Sequence, residues 1–190
     1  MINQTLAESM KWTTADLELL SNDEWKRYEI IAGELFVTRA PDWNHQRICG
    51  NIYAELNAWS RRTNLGQPAM TPGIIYTESD NVIPDVVWVS REKLATLLDS
   101  AGHLTGSPEL VVEVLSPGKE NERRDKQAKL KLYSIQGVQE YWIVDRHQQQ
   151  VQVYRRQNHQ LILAETLLIT DQISSPILPE FRCQVELFFT

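Results

Sequence analysis

Apolar residues along this chain follow two periods. In NHQRICGNIYAELNAWSRR (44–62), Ile48, Ile52, Leu56 and Trp59 recur every three or four residues, the spacing of one helix face. Asn44 stands where it can cap the start. A second helix is predicted at 121–136, with Ala128, Leu132 and Ile135 on its apolar face. Gly137 suits the left-handed position after its last turn. Shorter helices are expected at 14–20, behind threonines fit for a cap, and in SREKLATLLDS, where Ser90 is the N-cap.

The other period is two, or none. YEIIAGELFV (28–37) reads as two strands around a tight turn at Ala32-Gly33. GIIYT and VIPDVVWVS read as strands joined by the turn ESDN. ELVVEVLSP contains a near-continuous apolar run, the mark of a strand buried on both faces. QEYWIVD is a further strand, QVQVYRR and QLILAETLLIT form a closing hairpin, and SSPILPEF reads as a loop. Helices alternating with strands in this order predict an α/β fold, a mixed central β-sheet flanked by helices. The chain has 190 residues, the length of one domain, and no repeat or linker divides it. One domain over 1–190 is therefore expected, with 1–11 a poorly ordered N-terminus.

Composition narrows the class. With 42% hydrophobic and 23% charged residues, the chain is globular rather than disordered. MINQTLAESMKWTT lacks the apolar stretch of a secretory leader, and no run approaches a membrane span. Cys49 and Cys183 lie far apart without metal-ligand spacing and read as reduced core thiols. A cytoplasmic protein is the expectation. The net charge of −6 argues against a general nucleic-acid coat, but leaves room for a local grip on phosphates. KENERRDKQAKLK (119–131) has six basic and three acidic residues and, by charge alone, reads as a solvated helix face.

Two acids break this bland picture. Glu113 sits among Leu110, Val111, Val112, Val114 and Leu115, and Asp85 between Ile83-Pro84 and Val86-Val87-Trp88. An uncompensated carboxylate in such a strand costs several kcal/mol. A single one is more often an edge acid paired with a nearby base. Two, on neighbouring strands, would converge, and two adjacent carboxylates need a cation between them. Mg²⁺ suits such a site, being hard, oxygen-seeking and content with one or two carboxylates plus water. On the second helix Asp125, Lys129 and Tyr133 share a face. The pair is either an exposed ion pair worth a few tenths of a kcal/mol or a lysine reaching over the acids. His45 lies on the core stripe of its helix, where a lone histidine is usually structural. Glu29 and Glu34 flank the tight turn, as surface hairpin acids commonly do.

Taken in order, YEIIAGEL, HQRI, NVIPDVVWVS, PELVVEVLSP and RRDKQAKLKLYSIQGVQEYWIVD resemble the Uma family. That family, long catalogued as a domain of unknown function, groups with restriction endonucleases in the PD-(D/E)XK nuclease superfamily. The resemblance runs from about residue 12 to the C-terminus. It implies a restriction-endonuclease-like core, with Pro84-Asp85 as the PD and Glu113 as the second acid, the two binding Mg²⁺ or Mn²⁺. The superfamily lysine would stand at 115, which is Leu115 here. The family pattern D-x-x-x-K-x-x-x-Y instead gives Asp125, Lys129 and Tyr133, so Lys129 inherits the role, and Lys126 and Lys131 are poorer matches. Glu29 matches the acid of the family's first hairpin and His45 its helix-start histidine. Ala32 departs from the family's Asp before Gly.

The reading that follows is a metal-dependent endonuclease on DNA, with Asp85, Glu113, Lys129, Glu29 and His45 at the centre, Arg123 and Arg124 touching the backbone, and a homodimer suited to a two-stranded substrate. The alternative is an inactive nuclease-fold module for nucleic-acid binding or assembly. A metal-free sugar hydrolase with Trp88 as stacking platform ranks last. It leaves Lys129 unused, and strand alternation puts Trp88 on the face opposite Asp85.

Overall fold

A computed structural model describes residues 11–20 and 25–190, so ten of the eleven residues expected to form a loose N-terminus lie outside it. Three sheets form where a single mixed sheet was predicted. The central one has six strands, ordered β10-β9-β8-β7-β6-β3: β3 (Gly66–Met70), β6 (Val86–Ser90), β7 (Leu110–Val114), β8 (Glu140–Asp145), β9 (Gln150–Gln157) and β10 (Gln160–Leu168). It is mixed, because β7 and β8 run parallel and the other pairs antiparallel. A second, four-stranded sheet joins the hairpin β1 (Lys26–Ile31) and β2 (Glu34–Arg39) to β4 (Ile74–Thr77) and β5 (Asp80–Val82). Ala32 and Gly33 both have positive φ (53° and 79°), as the mirror-image hairpin turn requires.

Both faces of the central sheet are covered. On one, Ile48, Ile52, Leu56 and Trp59 of α1 (Trp43–Thr63) pack against Trp88, Val112 and Trp142. On the other, Val87, Val111, Tyr141 and Ile143 meet Leu132, Tyr133 and the second sheet. Trp88 lies on the α1 side, where its indole N–H donates to Ser60 Oγ. Strand β7, covered on both faces, is buried throughout, as its unbroken apolar run predicts. The parallel β7–β8 crossover is a helix in three parts: α3 (Lys119–Arg123), a π-helical turn (Arg124–Lys129) and α4 (Leu130–Gln136), ended by Gly137 at φ 90°. Between β6 and β7 lies α2 (Arg91–Leu97), capped by Ser90 as expected.

Several expectations are corrected. SSPILPEF is a hairpin, β11 (Gln172–Ser175) and β12 (Leu178–Gln184). Pro179 is accommodated at the register break between the Ser174–Arg182 and Ser175–Leu178 pairs, where no ladder donor is needed. Strand β3 escaped notice because Gly66 and Pro68 weaken its signal, and only its edge position permits the proline. Asp42, not Asn44, caps α1, accepting the His45 N–H at 3.1 Å. Ile135 is 67% exposed, since it falls two residues past buried Tyr133 and hence on the far side of the helix. VIPDVVWVS is two strands in two sheets, divided at Ile83-Pro84-Asp85. Among the described residues no helix is long and apolar enough to cross a membrane.

Candidate active site

The break at Ile83–Asp85 places the first acid. The antiparallel register pairs Trp88 with Leu110, Val87 with Val111 and Val86 with Val112. One further step sets Asp85 opposite Glu113. Asp85 is thus not inside the strand, as the sequence suggested, but at its threshold, where the chain crosses between sheets. Its Oδ2 accepts the Val114 N–H at 2.9 Å and lies 3.2 Å from His45 Nε2. That same Nε2 is 2.9 Å from the Val114 carbonyl oxygen. Burial pushes the Asp85 carboxyl up, but the His45 contact and the Val114 N–H outweigh it and hold the group below the usual carboxylate range.

Glu113 is 2% exposed and Lys129 1%. Lys129 Nζ stands 2.8 Å from Glu113 Oε1 and 2.8 Å from Glu29 Oε1. The Tyr133 hydroxyl donates to the same Glu113 oxygen at 3.0 Å. Glu29 also accepts the Ile83 N–H at 2.8 Å, which ties the hairpin sheet to the crossing segment. Arg124 grips Asp125 through two N–H groups at 2.8 and 3.1 Å and reaches to 3.8 Å from Glu29. Burial, opposed by Lys129 and reinforced by Asp85, Asp125 and Glu29, drives the Glu113 carboxyl up to about 8. Burial likewise raises Asp125 against the pull of Lys129 and Arg124. Lys129 is also raised, for the opposite reason: burial alone would lower it, but Glu113, Glu29 and Asp125 together outweigh burial.

Four carboxylates, Glu29, Asp85, Glu113 and Asp125, are therefore buried beside two buried cations, Arg124 and Lys129. The half-buried Arg27 adds a third at the margin, 3.7 Å from Asp85 Oδ1. The excess of negative charge is the condition a divalent cation relieves, and the oxygen donors are of the kind Mg²⁺ or Mn²⁺ prefers. Asp85, Glu113 and Glu29 border a cavity of about 30 Å³, room for a water or an ion. A rival donor set is His45, Cys49 and Asp85, whose ligand atoms lie within 4.8 Å of one another. It fits a shared ion less well. The imidazole turns Nδ1 toward Cys49 Sγ at 3.5 Å and Nε2 toward Asp85 and Val114, so the ring bridges its neighbours. Burial also raises the Cys49 thiol far above its ordinary range, away from the thiolate that binds metals.

All five residues singled out in the sequence, Asp85, Glu113, Lys129, Glu29 and His45, line this one cavity. Lys126 and Lys131 do not: the former pairs with Glu122 on the outer face and the latter is exposed. Arg124 corrects its expectation, for it is buried and held by Asp125 and Glu29 rather than turned to a phosphate backbone. Arg123 is exposed in an adjoining cleft. Two basic lining residues were missed, Arg27 and Arg39. Arg27 was within reach of sequence reasoning, because it precedes Glu29 by two and so shares its strand face.

Residues 14–186 match the family described as Uma2, "Putative restriction endonuclease". Among solved structures, the chain resembles that of a "putative nuclease belonging to DUF820" from Anabaena variabilis, with a TM-score of 0.70. The likeness covers 93% of this chain and 97% of the other at 18% identity, which speaks to the fold alone. No curated protein matches the sequence.

Proposed function

The chain belongs to the Uma2 restriction-endonuclease family, and from that premise we propose that it hydrolyses DNA phosphodiester bonds with Mg²⁺ or Mn²⁺ held by Asp85 and Glu113. The observation that carries the reading is the placement of these two acids on one cavity with the Lys129 amine 2.8 Å from Glu113. When bound, the ion would polarise a phosphoryl oxygen and make water a better nucleophile.

The chain's own residues supply the rest. The Val114 N–H and His45 fix Asp85, so His45 is a positioning residue acting through that carboxylate. Lys129 supplies fixed positive charge where negative charge develops on the phosphate, in a site with room for little more than a water. Glu29 holds Lys129 from the hairpin side. Arg27 and Arg39, at the cavity margin, are the groups placed to meet the scissile phosphate.

Incubation of supercoiled plasmid with Mg²⁺, Mn²⁺ or chelator tests this. Cleavage should need metal and vanish in Asp85→Asn. Cleavage that survives both chelation and that substitution would refute it. The saturation of Lys129 by two carboxylates favours a second reading, a closed centre that binds nucleic acid without turnover. It predicts DNA binding with no metal-dependent cleavage.

A further inference from the structure

The metal-binding acids are 2% and 6% exposed, at the floor of a cavity of about 30 Å³. A phosphate can reach them only by bending inward. Intact duplex DNA is stiff and carries its phosphates on a convex surface, whereas an unpaired strand turns freely at each phosphate. The surroundings fit the second shape. On one side is a cleft of about 450 Å³ between β2 and the crossover helix, with exposed Arg123 and Lys131 on its wall. It shares Thr38 and Arg124 with the central cavity. Pro41 and His45 line the centre, and the intervening Asp42, Trp43 and Asn44 border a second cleft of about 510 Å³. Both volumes fall in the range of about 300–1,000 Å³ typical of small-ligand sites.

Trp43 in that second cleft is 81% exposed, an unusual state for the largest apolar side chain. Asp42, the acid beside it, is neutralised by Arg146 at 2.7 Å. The Arg146 Nε–H is buried in the same wall with no partner among the described residues. An open indole beside compensated acid, near a small buried cavity lined by carboxylates, with basic residues beyond, is the arrangement that binds single strands by stacking and backbone charge.

We propose that the substrate enters as an unpaired strand, passing over the mouth of the central cavity with its flanking nucleotides in the two clefts and one base stacked on Trp43. This rests on the phosphodiesterase reading above but is tested separately. Asp85→Asn protein is titrated into a fluorescein-labelled 20-nucleotide single strand and into the same sequence as blunt duplex, with anisotropy as the readout. The single strand should bind at least about tenfold more tightly. Adding Trp43→Ala should weaken single-strand binding about five- to 150-fold, the effect of losing one stacked base, while Trp43→Phe restores most of it. Equal or tighter duplex binding, or no effect of Trp43→Ala, overturns the proposal. If the wild type cuts duplex and single strand equally, the proposal falls and the nuclease reading stands. If it cuts neither but binds single strands through Trp43, the nuclease reading falls and the strand path stands.

Discussion

Lys129 Nζ lies 2.8 Å from Glu113 Oε1, although the two residues belong to different elements and sit 16 positions apart. This contact makes the lysine a structural keystone as well as a candidate for chemistry. Lys129→Met would leave Glu113, Glu29 and Asp125 buried without their shared cation. Breaking a buried ion pair from one side typically costs about 3–5 kcal/mol. Urea unfolding should show a loss of that size in metal-free protein. A loss under about 1 kcal/mol would mean that the carboxylates are already neutral without the lysine. Activity lost in this variant must accordingly be measured at a temperature where it remains folded.

Asp85 is the cleaner site to perturb. An asparagine keeps an oxygen to accept the Val114 N–H and removes only the charge. Asp85→Asn should unfold within about 1 kcal/mol of the wild type, the net worth of one hydrogen bond. Calorimetric titration with Mn²⁺ should show saturable heat for the wild type and none for the variant. Unchanged Mn²⁺ affinity in Asp85→Asn would move the metal site elsewhere, with the His45–Cys49 group the next to test by Cys49→Ala.

The raised carboxyl of Glu113, about 8 in the fold against an ordinary 4.5, sets a direction for pH. Between these values the unfolded chain gives up the proton and the folded one keeps it. The contribution of Glu113 is thus full below about 4.5 and is lost as pH rises toward 8. Measured with chelator, the stability of the wild type relative to Glu113→Gln should fall across this window. A rise would show that Lys129 dominates and that the carboxyl is ionised throughout. Mn²⁺ competes with that proton for the carboxylate, so its affinity should increase with pH up to about 8.

The two acids were legible because each interrupts an apolar run of sequence, and a buried charge without purpose is rare. The long helices, the first hairpin turn and the Gly137 stop were legible for local reasons, since period and turn chemistry are properties of contiguous residues. What escaped depends on pairing at a distance. Strand β3 exists because β6 offers it an edge, and β11 and β12 because they find each other across two prolines. The break at Asp85 follows from Val82 and Val86 joining different sheets, which no local window reveals. Arg124 was misread because one of its two partners, Glu29, lies far off along the chain, in the hairpin sheet.

The crossover helix carries the last such surprise, and it is open to direct test. Asp125, Lys129 and Tyr133 were placed on one face by α-helical spacing, yet Arg124–Lys129 is a π-helical turn. Such turns hold one residue more than the α-helix allows, and they recur at functional sites. Gln127 is exposed within it, so its deletion should restore an ordinary α-helix. Everything before the deletion would then rotate by about 100° relative to Lys129 and Tyr133. Arg124 and Asp125 would leave the centre together, as a pair, which costs less than removing either one alone. The deletion variant should keep its far-ultraviolet circular dichroism, its melting temperature within a few degrees and its Mn²⁺ binding at Asp85 and Glu113. Cleavage should fall at least about tenfold, because Lys129 loses the carboxylate that faces it from its own helix at 3.9 Å and Glu29 loses its arginine. A variant that folds, binds Mn²⁺ and cuts at the wild-type rate would show that the extra residue serves the packing of the crossover and not the centre.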